Sequence, residues 1–118
     1  MAFGEILMAI KKQEFYEGAA LHLLARQGGI RSIRYQPPFF LINDRLTALL
    51  KYSTRGRSPW GFTFMPDEQA LLKKLSSNHA VMIGLICGSD DVAMATVARI
   101  LACLWGTPGF VVATGQVS

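Results

Sequence analysis

Apolar residues recur at helical spacing along the first quarter of the chain. At 100° per residue, Phe3, Ile6, Leu7, Ile10, Leu21, Leu24 and Ala25 share one arc. Glu5, Lys12 and Arg26 lie opposite, joined by Leu23. The spacing predicts one helix over Phe3 to Gln27, stopped by Gly28-Gly29, with Arg26 in its last turn. Glu14 and Glu17 fall inside the apolar arc, between Ile10 and Leu21. They are three residues apart on a helix, so their carboxylates can lie close together.

After the glycines the period changes from helical to alternating. Ile30 to Gln36 reads as a strand, interrupted by Pro37-Pro38 as at an edge or a bend. Phe39 to Ile42 resumes extended structure, Asn43-Asp44 has hairpin-turn chemistry, and Arg45 to Ser53 returns. Leu46, Ala48, Leu50 and Tyr52 then share one face of that strand; Thr47, Leu49, Lys51 and Ser53 share the other. Thr54 to Pro59 is a polar loop, and Trp60, Phe62 and Phe64 alternate as in a strand. Pro66-Asp67-Glu68 suits a helix first turn, with acids near the positive end of the dipole, and the helix runs to about Ser76. Ala80 to Cys87 is nearly continuous apolar sequence, as in a strand buried on both faces. Gly88 to Asp91 is a turn, Val92 to Ala95 a short strand, Val97 to Trp105 a helix capped by Thr96, and Phe110 to Thr114 a last strand after the break at Gly106 to Gly109. The order is helix, three or four antiparallel strands, helix, buried strand, helix. It predicts an α/β (α+β) domain over residues 1–118, with one mixed sheet flanked by helices.

Composition narrows the class. With 118 residues, 51% of them hydrophobic, the chain can fill one core without disulfides or metals. Cys87 and Cys103 lie in apolar runs and read as buried free thiols, which suits a reducing cytoplasm. Met1 to Leu7 lacks the pattern of a targeting signal, and no apolar run is long enough to span a membrane. Charge adds a further lead. Arg26, Arg31, Arg34, Arg45, Lys51, Arg55 and Arg57 lie in one segment with Asp44 as its single acid, although the net charge of the whole chain is only +4. Such asymmetry points either to a polyanionic partner or to a solvated basic face. Arginine forks suit phosphate oxygens, so Arg34, Arg45, Arg55 and Arg57 are the candidate nucleic-acid contacts. Trp60 is expected in the core rather than stacked on a base. His22 and His79 have no evident histidine or cysteine partner, and Gly88-Ser89-Asp90-Asp91 lacks the glycines and lysine of a phosphate loop.

The element order, with Glu14 and Glu17 on the first helix and Lys51 on the returning strand, resembles the restriction-endonuclease-like superfamily of metal-dependent nucleases. The stretches Trp60 to Gln69 and Val81 to Gly88 are similar to segments that follow the active strands in small members. The resemblance covers about Ile6 to Val97. It implies a helix glutamate at Glu14 or Glu17 and a signature lysine at Lys51. It also implies an acid two positions before the lysine, where Leu49 stands, and an aspartate for which Asp44 is the nearest candidate. On this resemblance Glu14, Glu17 and Lys51 are the catalytic set and Glu17 and Asp44 the metal ligands. Mg2+ or Mn2+ would be the cofactor and DNA or RNA the partner. Phosphodiester cleavage needs a divalent cation to screen the phosphate and lower the pKa of the attacking water, and a lysine to neutralise developing charge.

Two readings of function follow. One is a nucleic-acid-binding protein on this scaffold, either a divalent-metal-dependent phosphodiesterase or an inactive relative. The alternative is a non-enzymatic protein–protein interaction module using aromatic surface at Phe39 and Phe40. A homodimer is compatible with either. Glu17 and Lys51 also have a purely structural reading, as partners of one another.

Overall fold

The computed structural model describes residues 8–104 and 109–113. Its elements are α1 (Lys12–Arg26), β1 (Ile33–Gln36), β2 (Phe39–Ile42), β3 (Leu46–Ser53), β4 (Trp60–Phe64), α2 (Pro66–Ser76), β5 (Ala80–Cys87), β6 (Asp91–Thr96), α3 (Val97–Cys103) and β7 (Gly109–Ala113). Five strands form one mixed sheet in the order β1-β2-β3-β5-β6, while β4 and β7 pair as a separate two-stranded ribbon. The expected meander is therefore β1–β2–β3, and β4 leaves it. Alternating Trp60, Phe62 and Phe64 are all buried, so β4 contributes its aromatic side to the core above the sheet instead of extending the sheet.

The β2–β3 turn follows from its two residues. Asn43 and Asp44 both take left-handed backbone angles, φ 55° and 56°. That pair of angles is what a two-residue hairpin turn needs to match the strand twist, and Asn and Asp tolerate it best after Gly. The Asn43 side chain adds three bonds. Its Oδ1 accepts the Arg31 and Ser32 N–H groups at 2.6 and 3.2 Å, and its Nδ2 donates to the Gly29 carbonyl at 2.8 Å. At the centre β3 and β5 run parallel from Leu46–Ala80 to Ser53–Cys87. With β6 antiparallel on its other edge and packed clusters on both faces, β5 is buried all round, which accounts for its nearly unbroken apolar sequence.

The strand period of two sorts side chains between the faces. Leu49, Ile83 and Leu85 face a core with Trp60, Phe62, Phe64, Leu72, Val97 and Ile100, under α2, α3 and the β4–β7 ribbon. Leu50 and Ile86 face the opposite way and pack with Phe40 of β2 and Ala20 of α1. Tyr16 stacks on Tyr52 with ring centroids 4.8 Å apart and 11° between planes, tying α1 to β3.

Several expectations are corrected. The first helix begins at Lys12, not at Phe3: Met8 to Lys11 are non-helical, and residues 3–7 lie outside the described residues. Ile10, placed on the apolar arc, precedes the helix and is exposed. Glu14 sets the helix start by folding its carboxylate back to accept the Lys11 N–H at 2.7 Å, the reciprocal half of a capping box. The first strand begins at Ile33 rather than Ile30, because the Asn43 side chain holds the backbone of Arg31 and Ser32. Cys103 is exposed, whereas Cys87 is buried. The last helix stops at Cys103, and Trp105 and Thr114 lie outside the described residues. Among the described residues no helix is long and apolar enough to cross a membrane.

Candidate functional site

The β2–β3 register ends at Phe40–Ala48, whereas the β3–β5 register continues to Ser53–Cys87. Pro38, at the end of β2, has no N–H with which to extend the pairing. The second half of β3 is thus open on one side. Side chains from both faces of the sheet reach this notch: Gln13 from α1, and Lys51 and Glu68 from the α2 side, over a floor of Leu49, Leu50 and Tyr52. Its volume is about 260 Å³.

Lys51 lies on the face opposite α1, as the alternation of β3 requires. Its Nζ donates to both carboxylate oxygens of Glu68, at 2.8 and 2.9 Å, and sits 4.5 Å above the centre of the Phe64 ring. Glu68 Oε1 also accepts the Met65 N–H at 3.1 Å, so one carboxylate caps α2 and neutralises Lys51. Sequence reasoning placed Glu68 in a helix first turn but did not connect it with Lys51. The signal is weak, because a first-turn glutamate needs no further partner than the helix end. The structural reading in which Glu17 pairs with Lys51 is corrected accordingly.

Glu17 is buried, on the packed side of α1 as expected. Its Oε2 accepts a hydrogen bond from Gln13 Nε2 at 2.9 Å. That amide is neutral, so this buried carboxylate has no cation partner among the described residues; Gln13 itself lines the notch. Glu14 departs from expectation. It is exposed and engaged at the helix start, so the two carboxylates do not form a pair.

Asp44 is at the other end of β3. Six residues separate Arg45 from Lys51, which at ~3.3 Å per strand residue is about 20 Å. Asp44 forms an ion pair with Arg34 across the hairpin. Glu17 and Asp44 therefore do not share a site. Among the described residues no three His, Cys, Asp or Glu side chains cluster to hold a metal ion. Magnesium takes hard oxygen ligands, usually from at least one or two free carboxylates. Here Glu14 caps a helix, Glu68 is engaged by Lys51 and Asp44 by Arg34, which leaves Glu17 alone. These residues do not fit a divalent cation.

The arginines separate into two groups. Arg31, Arg34 and Arg45 stand at the hairpin end of β3; Arg55 and Arg57 stand on the loop leaving its other end. Arg55 is four residues from Lys51, within about 14 Å of chain reach. The loop is held by its own backbone: Trp60 Nε1 donates to the Arg55 carbonyl at 2.7 Å, with Trp60 buried as expected. Gly88 lies directly beneath it at φ +57°, and a Cβ there would come within 2.4 Å of the Arg55 carbonyl oxygen. Arg55 and Arg57 are exposed. Phe40, by contrast, is buried and Phe39 half-buried against the core, so they do not form the aromatic docking surface expected of an interaction module.

No protein-family profile matches the chain, and neither a curated protein nor a solved structure is significantly similar to it.

Proposed function

We propose that this protein binds nucleic acid on a restriction-endonuclease-like scaffold, with phosphate contact kept and metal-dependent cleavage lost. The observation that carries this reading is the notch beside the open half of β3. There Lys51 of β3 and Gln13 of α1, which bonds Glu17, line one opening, and the loop bearing Arg55 and Arg57 leaves from the same end of β3. Support also comes from the element order: a helix with an inward glutamate, an antiparallel meander bearing the lysine, then a helix and a parallel strand. Loss of cleavage follows from Leu49 standing in the place of the signature acid and from Glu68 neutralising Lys51.

The test is binding to generic DNA and RNA as a function of salt. Each phosphate contact releases counterions, so affinity falls as salt rises. Arg55→Ala/Arg57→Ala is expected to weaken binding and to flatten the log–log salt slope by up to about two, roughly one per lost contact. No strand cleavage is expected with magnesium or manganese. Absence of retention on heparin and of any gel shift at low salt would reduce the basic segment to a solvated face.

A further inference from the structure

A second cavity among the described residues is larger than the notch. A cleft of about 720 Å³ lies at the hairpin end of β3, between the segment leaving α1 and the β2–β3 turn. Its size is that of a small-molecule site. Gly29, Arg31 and Ser32 form one wall; Asn43, Asp44 and Arg45 form the other.

Three observations give this cleft a chemistry. First, its walls are fixed to each other. Asn43 bonds the backbone of Gly29, Arg31 and Ser32 through its side chain, and its own N–H donates to the Ser32 carbonyl at 2.9 Å. Second, the acid in the lining is already neutralised, because Asp44 is held by Arg34. Third, Arg31 and Arg45 make no ion pair among the described residues, so two exposed arginines of the lining carry uncompensated charge. Ser32 lines the same cleft, and its hydroxyl makes no hydrogen bond among the described residues. Two arginine forks and a hydroxyl in one lining suit the tetrahedral oxygens of a phosphate group.

We propose that this cleft is a phosphate-binding site, with Arg31 and Arg45 as its anion-binding residues and Asn43 as the residue that positions them. The assignment is independent of the notch and of Arg55 and Arg57. A phosphate group can arrive on a free nucleotide or on a nucleic-acid strand, and the chemistry at the cleft is the same.

The experiment titrates the 15N-labelled full chain with inorganic phosphate. Saturable shifts are expected at the amides of Gly29, Ser32 and Asn43. Arg31→Gln/Arg45→Gln replaces two exposed side chains and leaves the Asn43 bonds to backbone intact. It is expected to weaken the phosphate affinity at least ~tenfold, the equivalent of one charge-assisted contact. Arg55→Ala/Arg57→Ala is expected to leave these shifts unchanged. Shifts that fail to saturate at millimolar phosphate, or that survive in Arg31→Gln/Arg45→Gln, overturn the proposal. Competition then identifies the source. Displacement of phosphate by a short oligonucleotide assigns the cleft to a strand, and displacement by adenosine monophosphate alone assigns it to a free nucleotide.

Discussion

On one side of the main sheet Trp60, Phe62, Phe64, Leu72 and Ile83 interlock beneath two helices and a strand ribbon, all of them almost inaccessible to water. On the other side a single helix rests on Phe40, Leu50 and Ile86 through Ala20, beside the Tyr16–Tyr52 stack. The first face is a thick core in which three layers of apolar side chains meet. The second is a narrow stripe, and α1 leaves Phe15 65% exposed, with Ile10 just before it at 64%. The difference explains where a buried carboxylate can sit. A buried carboxylate such as Glu17 is tolerable beneath a thinly packed helix with an amide beside it. It would be much more costly among the aromatic rings on the other side.

Side-chain truncation on the two faces should break the symmetry most strongly. Phe64→Ala is expected to lower the unfolding free energy by ~3–5 kcal/mol, as for other large-to-small changes at fully buried rings. Phe15→Ala, on the outer surface of α1, should change it by less than ~0.5 kcal/mol. Urea denaturation of both variants checks the contrast. Equal losses would mean that α1 packs more deeply than the structure shows.

The two carboxylates nearest the notch sharpen the comparison at an intermediate scale. Glu68→Ala removes both a helix cap and the partner of a partly buried lysine, so a loss of ~1–2 kcal/mol is expected. Glu17→Gln keeps the side-chain shape, lets an amide oxygen accept from Gln13, and removes a buried charge that has only a neutral partner. Stability should hold within ~0.5 kcal/mol or rise. Thermal melts of both variants, with and without manganese, also test the metal reading. Stabilisation of the wild type by manganese, abolished in Glu17→Gln, would establish a cation site at Glu17.

The smallest expected effect concerns Cys87 on the thick face. Burial, with the Asp91 and Asp90 carboxylates adding to it, pushes this thiol above its ordinary value of 9.0. The folded chain therefore holds the proton more tightly than the unfolded chain. The stability this contributes is complete below about pH 9.0 and declines as pH rises through the higher folded value. Cys87→Ala should make the alkaline decline shallower. At neutral pH iodoacetamide should modify exposed Cys103 and spare Cys87 until the protein is unfolded.

Local chemistry accounts for what the sequence made legible. The Asn43-Asp44 turn, the Pro66 helix start, the Thr96 cap and the apolar run of β5 each depend on a few adjacent residues. All appear within a residue or two of their expected positions. The start of α1 was overextended because Phe3, Ile6, Leu7 and Ile10 keep the apolar spacing, while Glu14 ends the helix by capping Lys11. The site was only half legible. Glu17 and Lys51 could be singled out by their positions on a helix arc and a strand. The pairing of Lys51 with Glu68 depends on how α2 returns over the sheet, and no local pattern encodes that. The same holds for the separation of the arginines, which are near one another in sequence but stand at opposite ends of β3.

The parallel seam between β3 and β5 has a kinetic consequence. The β1–β2, β2–β3 and β5–β6 ladders join neighbours in the chain and can close as hairpins within ~1–10 μs. The seam joins Leu46 to Ala80 and must wait until β4 and α2 have found their places between the two strands in sequence. Folding is slowed by two long-range ladders: β4–β7, which joins Trp60 to Ala113, and this β3–β5 ladder. Until that ladder forms, the apolar run from Val81 to Cys87 is an unprotected edge, the part of this chain most exposed to association with another copy during synthesis.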